Sequence, residues 1–406
     1  MKILHISSNT HGGAGSAAAR IHKSFLKHGH DSKMFVRTNQ NSIERVLEFN
    51  STVSGFLTRA SRKIKNKLYL NDQYLMYSVH DRKEWYGVFE NLQSLNFYPD
   101  VIILHWIAGF IGFDELTHLS ANLPNTKILW YLMDMAPFTS GCHYSWGCVG
   151  YTNQCHPCPG VRGFKGQELI DQMFMKKLKF VSNTELQYVA PNQFVKNQVR
   201  LATFAKADVP VVYIPIDEDI FTPKSCNEKG VTLLFGGNSF DDYRKGGDLF
   251  AEVLKTLDIR LADNKKYKKP VQILAPGLKK TIDLRLKNIS LSQPERISGD
   301  ENLAILYSQS DIFICCSRED SGPIMVSEAL MSGLPVVSFD VGAVNELIQN
   351  ELAGSVIPNY DISAMADKIL KLILNIEKIN RESVKKTVFK KLSTSSMVSN
   401  FESILA

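Results

Sequence analysis

The 406-residue sequence contains no stretch near the roughly 18 consecutive apolar residues of a membrane-spanning helix. Low-complexity tracts are also missing, which excludes a disordered or fibrous chain. The formal charge of +6 is a modest excess for this length. It leaves room for anionic lipid or phosphorylated ligands and argues against nucleic acid as a partner. The apolar opening Met1-Lys2-Ile3-Leu4-His5-Ile6 turns polar at Ser7-Ser8-Asn9, short of the about 7–15 apolar residues of a secretory signal. These absences predict a cytoplasmic protein, free or at the inner face of the membrane. Its seven cysteines are then expected to be mostly reduced. No internal repeat marks a solenoid.

What is present is a globular composition, 44% hydrophobic and 22% charged, over a length that suits two α/β domains. The first forty residues read as strand (Lys2 to Ile6), glycine turn, helix and strand (Ser32 to Val36). Ser16 is the expected helix cap and Gly29 the stop. This is the βαβ opening of a doubly wound sheet. Strands are further expected at Val101–Leu104, Ile128–Leu132 and Val211–Ile214. The pattern restarts after residue 215, with Val231 to Phe235 as the first strand of a second domain. Val271–Ala275, Asp311–Cys315 and Pro335–Phe339 follow. The expected organisation is two Rossmann-like parallel-sheet domains facing a cleft. They span 1–215 and 216–385, with a C-terminal helix over 386–406 that packs back on the first domain.

The stretch richest in chemistry runs from Arg318 to Val337. An apolar strand ends in Glu319 and Asp320, a turn follows at Ser321-Gly322, and Pro323 stands where a helix begins. The free amides after it, from Ile324 and Met325 onward, suit an anion above the helix end. Glu328 lies eight residues beyond Asp320, so one acid is positioned for a sugar hydroxyl and the other for a ribose hydroxyl. A second constellation is Phe235-Gly236-Gly237-Asn238, then Arg244-Lys245-Gly246-Gly247. Two adjacent cations before a glycine-started helix make a clamp for a diphosphate, Arg as a planar fork and Lys as a point charge.

The first of these segments resembles the signature of glycosyltransferase family 4, retaining transferases of the two-Rossmann-domain GT-B architecture. That signature is an acid, seven residues, Glu-Ala, a small residue, Gly, any residue and Pro-Val-Val. Asp320 takes the first acid position, where the family usually has Glu. Glu328-Ala329, Gly333 and Pro335-Val336-Val337 match the rest. The resemblance implies that Arg244 and Lys245 neutralise the departing diphosphate. It implies that Gly237, Gly322, Pro323, Ile324, Met325 and Glu328 line the donor, together with the turn of Gly12, Gly13 and Gly15. That turn is not a full dinucleotide fingerprint, because Val36-Arg37-Thr38 stands where an acid would be. Relatives carry His-Asp after the strand that here ends in Met133-Asp134. His105 or Asp134 is expected to supply the missing polar contact, with a satisfied buried histidine as the competing reading of His105.

Two features lie outside the reaction. Cys142, Cys148, Cys155 and Cys158 sit within seventeen residues. A tetrahedral structural zinc site, reduced thiols and disulfides all fit that spacing. The surrounding Thr139-Ser140-Gly141-Cys142-His143-Tyr144 resembles the cysteine-bearing loop of a polysaccharide-assembly branch of the family. Residues 55–69 carry Arg59, Arg62, Lys63, Lys65 and Lys67 without an acid, and Phe56, Leu57, Ala60, Ile64 and Leu68 fall along one side. Such a helix either lies on an anionic membrane or packs on its own domain. The expected activity is transfer of a sugar from a nucleotide-diphosphate sugar to a glycan or lipid-linked acceptor in cell-surface polysaccharide synthesis, with retention. No catalytic cofactor or metal is expected, since Asp217-Glu218-Asp219 falls in the linker and not at a strand end. The alternative is a non-catalytic nucleotide-sugar or glycan binder of the same fold.

Overall fold

A computed structural model describes residues 1–40, 43–50, 56–76, 78–204, 208–224, 230–236, 242–265, 267–277 and 284–406. The chain forms two units, Met1–Pro215 with Met397–Ala406, and Ile216–Ser396.

The first unit holds β1 (Lys2–Asn9), β2 (Asp31–Thr38), β3 (Val46–Glu48), β4 (Val101–Leu104), β5 (Lys127–Tyr131) and β6 (Leu186–Val189). They lie in the order β3-β2-β1-β4-β5-β6, with every neighbouring pair parallel. A parallel sheet is covered on both faces, which explains the unbroken apolar run Val-Ile-Ile-Leu of β4, buried throughout. The helix Gly12–Lys27 follows β1 and buries Ala17, Ala18, Ile21 and Phe25. It begins at Gly12 without a side-chain cap, so Ser16 lies inside the helix and does not cap it. The strand expected at Val211–Ile214 does not form. Pro210 and Pro215 bracket it, and proline cannot donate to a ladder. A single parallel bridge joins Val211 to Ala190, with Val212 N–H donating to the Ala190 carbonyl at 2.9 Å.

The second unit holds β7 (Val231–Phe235), β8 (Val271–Leu274), β9 (Ile289–Ser292), β10 (Ile312–Cys315), β11 (Val336–Phe339) and β12 (Gly354–Ile357). Their order is β12-β11-β10-β7-β8-β9, again all parallel. Read from the other edge, this repeats the strand order of the first unit. Each sheet therefore reverses its winding once, between β1 and β4 and between β7 and β10. Doubly wound sheets bind ligands beyond the carboxyl ends of the strands at such a reversal.

The boundary expected at residue 385 falls inside the helix Arg381–Leu392. The division comes in the next helix, Thr394–Leu405, whose Met397, Val398 and Phe401 are buried with Ile3, Ile21 and Phe25 in the first unit. Full burial of Phe401 contributes roughly 1.5–3 kcal/mol to that unit.

Candidate functional site

The reversal point of the second unit gathers the charged residues singled out above. After β7 the chain makes a short turn of 3-10 helix, Tyr243–Lys245, capped by the Asp242 carboxylate, which accepts from Lys245 N–H at 3.3 Å. Gly246 follows at φ +67°, and a Cβ there would lie 1.9 Å from the Cys316 carbonyl oxygen. Only glycine lets this turn approach the end of β10 so closely. The contact sets Arg244 and Lys245 beside the acid that follows β10. Arg244 Nη1 donates to Asp320 Oδ2 at 3.1 Å and Lys245 Nζ donates to the same oxygen at 2.6 Å. Asp320 Oδ1 accepts from Gly322 N–H at 3.2 Å. Burial alone would raise the Asp320 pKa, but Lys245 and Arg244 outweigh it and hold the carboxyl below its usual range. Two cations thus converge on one anionic oxygen.

Pro323 takes the position just before the helix Ile324–Met331, one residue earlier than expected, and no side chain caps the first amides. Glu328, 3% exposed, accepts from the Tyr307 hydroxyl at 2.7 Å. That hydroxyl also lies 3.3 Å from the Met325 carbonyl oxygen. A Cβ on Gly236 would sit 1.9 Å from Met325 Cε, so Met325 covers the end of β7. Gly237 lies outside the described residues. Arg244, Lys245, Asp320, Gly322, Pro323, Ile324, Met325 and Glu328 all follow the carboxyl ends of β7 and β10.

At the reversal point of the first unit, Gly12 and Gly13 have open space where side chains would be, which leaves their backbone accessible. A Cβ on Gly15 would lie 2.2 Å from Asn9 Oδ1, so Gly15 serves close packing of helix on strand. His105 is 1% exposed and its Nε2 lies 2.9 Å from His5 Nδ1. Burial pushes its pKa down to about 3. Asp134 is also buried, with Oδ2 at 2.5 Å from His143 Nδ1 and Oδ1 accepting from Ala136 N–H at 2.8 Å. The histidine beside Asp134 thus comes from nine residues downstream, and its Nε2 meets Ser78 Oγ at 3.1 Å.

Cys142, Cys148, Cys155 and Cys158 are free thiols. Among the described residues no three Cys, His, Asp or Glu side chains are grouped to hold a metal ion. The sulfurs are satisfied locally: Ser140 N–H donates to Cys155 Sγ at 3.4 Å and Gly150 N–H to Cys148 Sγ at 3.3 Å. Burial raises the Cys142 thiol to about 12 and Cys158 to about 11.

Sequence reasoning missed His143 and Tyr307, whose roles depend on contacts 9 and 21 residues away. It also missed the bidentate pair of Arg318 with Asp248, both bonds 2.6 Å, in which the guanidinium covers the Tyr243 ring at 4.0 Å. The adjacency of Arg318 to the motif was the one available signal.

Residues 232–388 match the family described as glycosyl transferases group 1. The match begins at β7 and takes in both cations and both acids of the second unit. N-acetyl-alpha-D-glucosaminyl L-malate synthase of Bacillus anthracis is 23% identical over 215 residues, 48% of this chain and 53% of that protein. The chain thus spans about half the length of the curated relative it matches. Among solved structures, a glycosyltransferase from Rickettsia africae ESF-5 superposes with TM-score 0.62 at 14% identity, over 100% of this chain and 97% of that one. Sucrose-phosphate synthase of Thermosynechococcus elongatus gives 0.64 at 14% identity, over 100% and 98%. Anabaena HepE in complex with UDP-glucose gives 0.62 at 12% identity, over 100% and 99%. The fold is the α/β, two-sheet architecture of these GT-B glycosyltransferases.

Proposed function

We propose that the protein is a retaining glycosyltransferase of family 4 that moves a sugar from a nucleotide-diphosphate sugar to a glycan or lipid-linked acceptor in cell-surface polysaccharide synthesis. One observation carries this reading: Arg244 and Lys245 converge on a single oxygen of Asp320 at the reversal point of the second sheet. Two clustered cations sharing one carboxylate suit a ligand of higher negative charge. A diphosphate has it. Its charge grows as the sugar departs, and preorganised donors act most strongly on charge that develops in the transition state. The uncapped amides at the start of helix Ile324–Met331 add to the same field. Glu328, held by Tyr307, takes the nucleoside, and a donor phosphate oxygen takes the proton of the incoming acceptor hydroxyl. No catalytic metal is required, because side-chain cations fill its role.

The complex of Anabaena HepE with UDP-glucose and the name of the Bacillus relative support a nucleotide-sugar donor. A lipid-linked acceptor suits the helix Phe56–Tyr69, proposed to rest on an anionic membrane surface. No described helix is long and apolar enough to cross a membrane. The test is release of nucleoside diphosphate from UDP-glucose and other nucleotide sugars, with candidate acceptors and excess chelator. Turnover is expected in chelator. Abolition of turnover by chelator in a protein that stays folded would overturn the metal-free mechanism. Met133, where relatives carry His, favours the second reading, a non-catalytic nucleotide-sugar or glycan binder. Tight binding of a nucleotide sugar without release under any acceptor would decide for it.

A further inference from the structure

The turn Tyr243–Lys245 is three residues long and leads into the helix Gly247–Asp263. So short a turn has little structure of its own, yet both of its cations are aimed at one oxygen of Asp320. The segment that starts at Arg318 runs beside it. Arg318 N–H donates to the Arg244 carbonyl at 2.8 Å, and Arg244 Nη1 donates to the Glu319 carbonyl at 3.1 Å. Any residue except proline at 318 could supply that amide. The Arg318 side chain adds contacts that few residues could make. Its Nη1 donates to the Tyr243 carbonyl at 3.0 Å, and Nη1 and Nη2 donate to the two Asp248 oxygens, each at 2.6 Å. Its guanidinium covers the Tyr243 ring, with Cζ at 4.0 Å from the centroid. Tyr243 immediately precedes the two cations, and Asp248 lies in the first turn of the helix that follows them. Arg244 and Lys245 therefore stand between the two anchor points of one guanidinium. The Arg318 carbonyl in turn accepts from the Tyr360 hydroxyl at 3.3 Å, which ties the staple to the segment beyond β12.

Folding stability is a poor account of this arrangement. Asp248 is 57% exposed, and an ion pair open to water contributes little to folding. Tyr243 is 59% exposed, so its ring buries little area. Position is a different matter, because a binding group misplaced by about 1 Å can cost a hundredfold in rate. The residue type points the same way. Lysine would carry the same charge but has neither the fork that spans a carboxylate nor the plane that lies on a ring. The contacts at 318 thus use the shape of arginine and not its charge alone.

We infer that Arg318 is a positioning residue: through Tyr243 and Asp248 it holds Arg244 and Lys245 at the spacing that a diphosphate requires. On the transferase reading, on which this role rests, Arg318 sets how strongly two linked phosphates are preferred to one.

The test is isothermal titration of the full chain with UDP, GDP and ADP and with the three monophosphates. The parent is expected to bind one diphosphate about tenfold or more tighter than its monophosphate, since paired cations answer the second phosphate. Arg318→Lys keeps the charge and should bring that preference below about threefold, with monophosphate affinity unchanged. Asp248→Asn, at an exposed position, should melt with the parent and shift the preference the same way by a smaller factor. Because Arg318 acts through the cations, Arg318→Lys should cost less diphosphate affinity in an Arg244→Ala background than in the parent. An undiminished preference in Arg318→Lys would overturn the inference. Equal weakening of diphosphate and monophosphate, the mark of a purely structural role, would do the same. A fully additive loss in the Arg244→Ala background would also overturn it and make Arg318 a direct ligand contact. If the parent binds no nucleotide, the transferase reading falls and this role with it. A diphosphate preference that survives in both variants tells against Arg318 alone.

Discussion

The two units share a strand order and differ in what they place at its reversal. At the ends of β7 and β10 stand groups of permanent charge: Arg244, Lys245, Arg318 and Asp320. At the ends of β1, β4 and β5 stand histidine, tryptophan and one aspartate. All ten histidines and all four tryptophans of the chain fall within residues 5–156, and the second unit has none. The same scaffold therefore carries one candidate site built from arginine, lysine and aspartate and another built from histidine, tryptophan and aspartate. The difference extends into the core, where His5, His22 and His105 are buried in the first unit.

The sharpest way to break this comparison is acid. Burial lowers the pKa of His22 to about 4, of His105 to about 3, and of His5 well below its ordinary value. A histidine whose folded pKa lies below its unfolded value contributes stability that is full above the unfolded value. The contribution is lost as pH falls through the window between the two. For His22 and His105 that window opens near 6.5 and closes near 4 and 3, and each is worth roughly 3–5 kcal/mol across it. Tryptophan fluorescence, which reports the first unit alone, should show a denaturation midpoint that falls steeply between about pH 6.5 and 4. A flat midpoint over that range would refute the burial of neutral histidines.

In the second unit the corresponding weak point is a pair of permanent charges. Arg381 Nη2 lies 2.5 Å from Asp311 Oδ1, with side chains 7% and 2% exposed, and Asp311 Oδ2 accepts from Thr232 N–H at 2.8 Å. Arg381→Ala leaves a buried carboxylate without its cation and should cost about 3–5 kcal/mol. The loss should appear in the circular-dichroism transition and leave the tryptophan transition nearly unmoved, since each unit has its own core. Equal shifts of both signals would show the two units to be one cooperative body.

The proposed donor site sharpens the same contrast. Arg244→Ala or Lys245→Ala should slow transfer about a hundredfold or more, equivalent to about 2.7–4 kcal/mol of transition-state stabilisation. UDP-glucose affinity of the parent should change little between about pH 5.5 and 8, because none of its proposed contacts in the second unit is a histidine. Wild-type turnover in both variants would show that no diphosphate clamp operates there.

How much of this could be read from residues alone follows from the range of the interactions. β1, β4 and β7 were legible because buried parallel strands are short apolar runs with turns on either side. β3, β6, β9 and β12 were not, since Val46–Glu48, Ile289–Ser292, Leu186–Val189 and Gly354–Ile357 are brief and carry no unbroken run of large apolar residues. Val211–Ile214 has the right composition, yet two flanking prolines confine it to one bridge. At the site, Arg244, Lys245, Asp320 and Glu328 were legible as local motifs. The sharing of one Asp320 oxygen by both cations was not, because it depends on Gly246 touching the end of β10 at Cys316, far along the chain. The contact of His143 with Asp134 was not legible either, because it joins residues nine apart across a loop.

The smallest expected effect concerns the helix Phe56–Tyr69. Ile64 and Leu68, four residues apart, are 61% and 57% exposed, while Arg62 bonds Glu84 and Asn66 Oδ1 lies 2.7 Å from His80 Nε2. One side of the helix is thus tied to its own unit, and the other presents two apolar side chains flanked by the exposed Lys63, Lys65 and Lys67. A helix packed only for stability would turn Ile64 and Leu68 inward, whereas apolar residues edged by lysine suit the boundary of an anionic bilayer. Each lysine near such a surface contributes about 1 kcal/mol. Lys63→Ala and Lys67→Ala should therefore each weaken sedimentation with phosphatidylserine vesicles about fivefold, additively, and leave binding to neutral vesicles unchanged. Equal partition of the parent into neutral and anionic vesicles would confine this helix to a packing role.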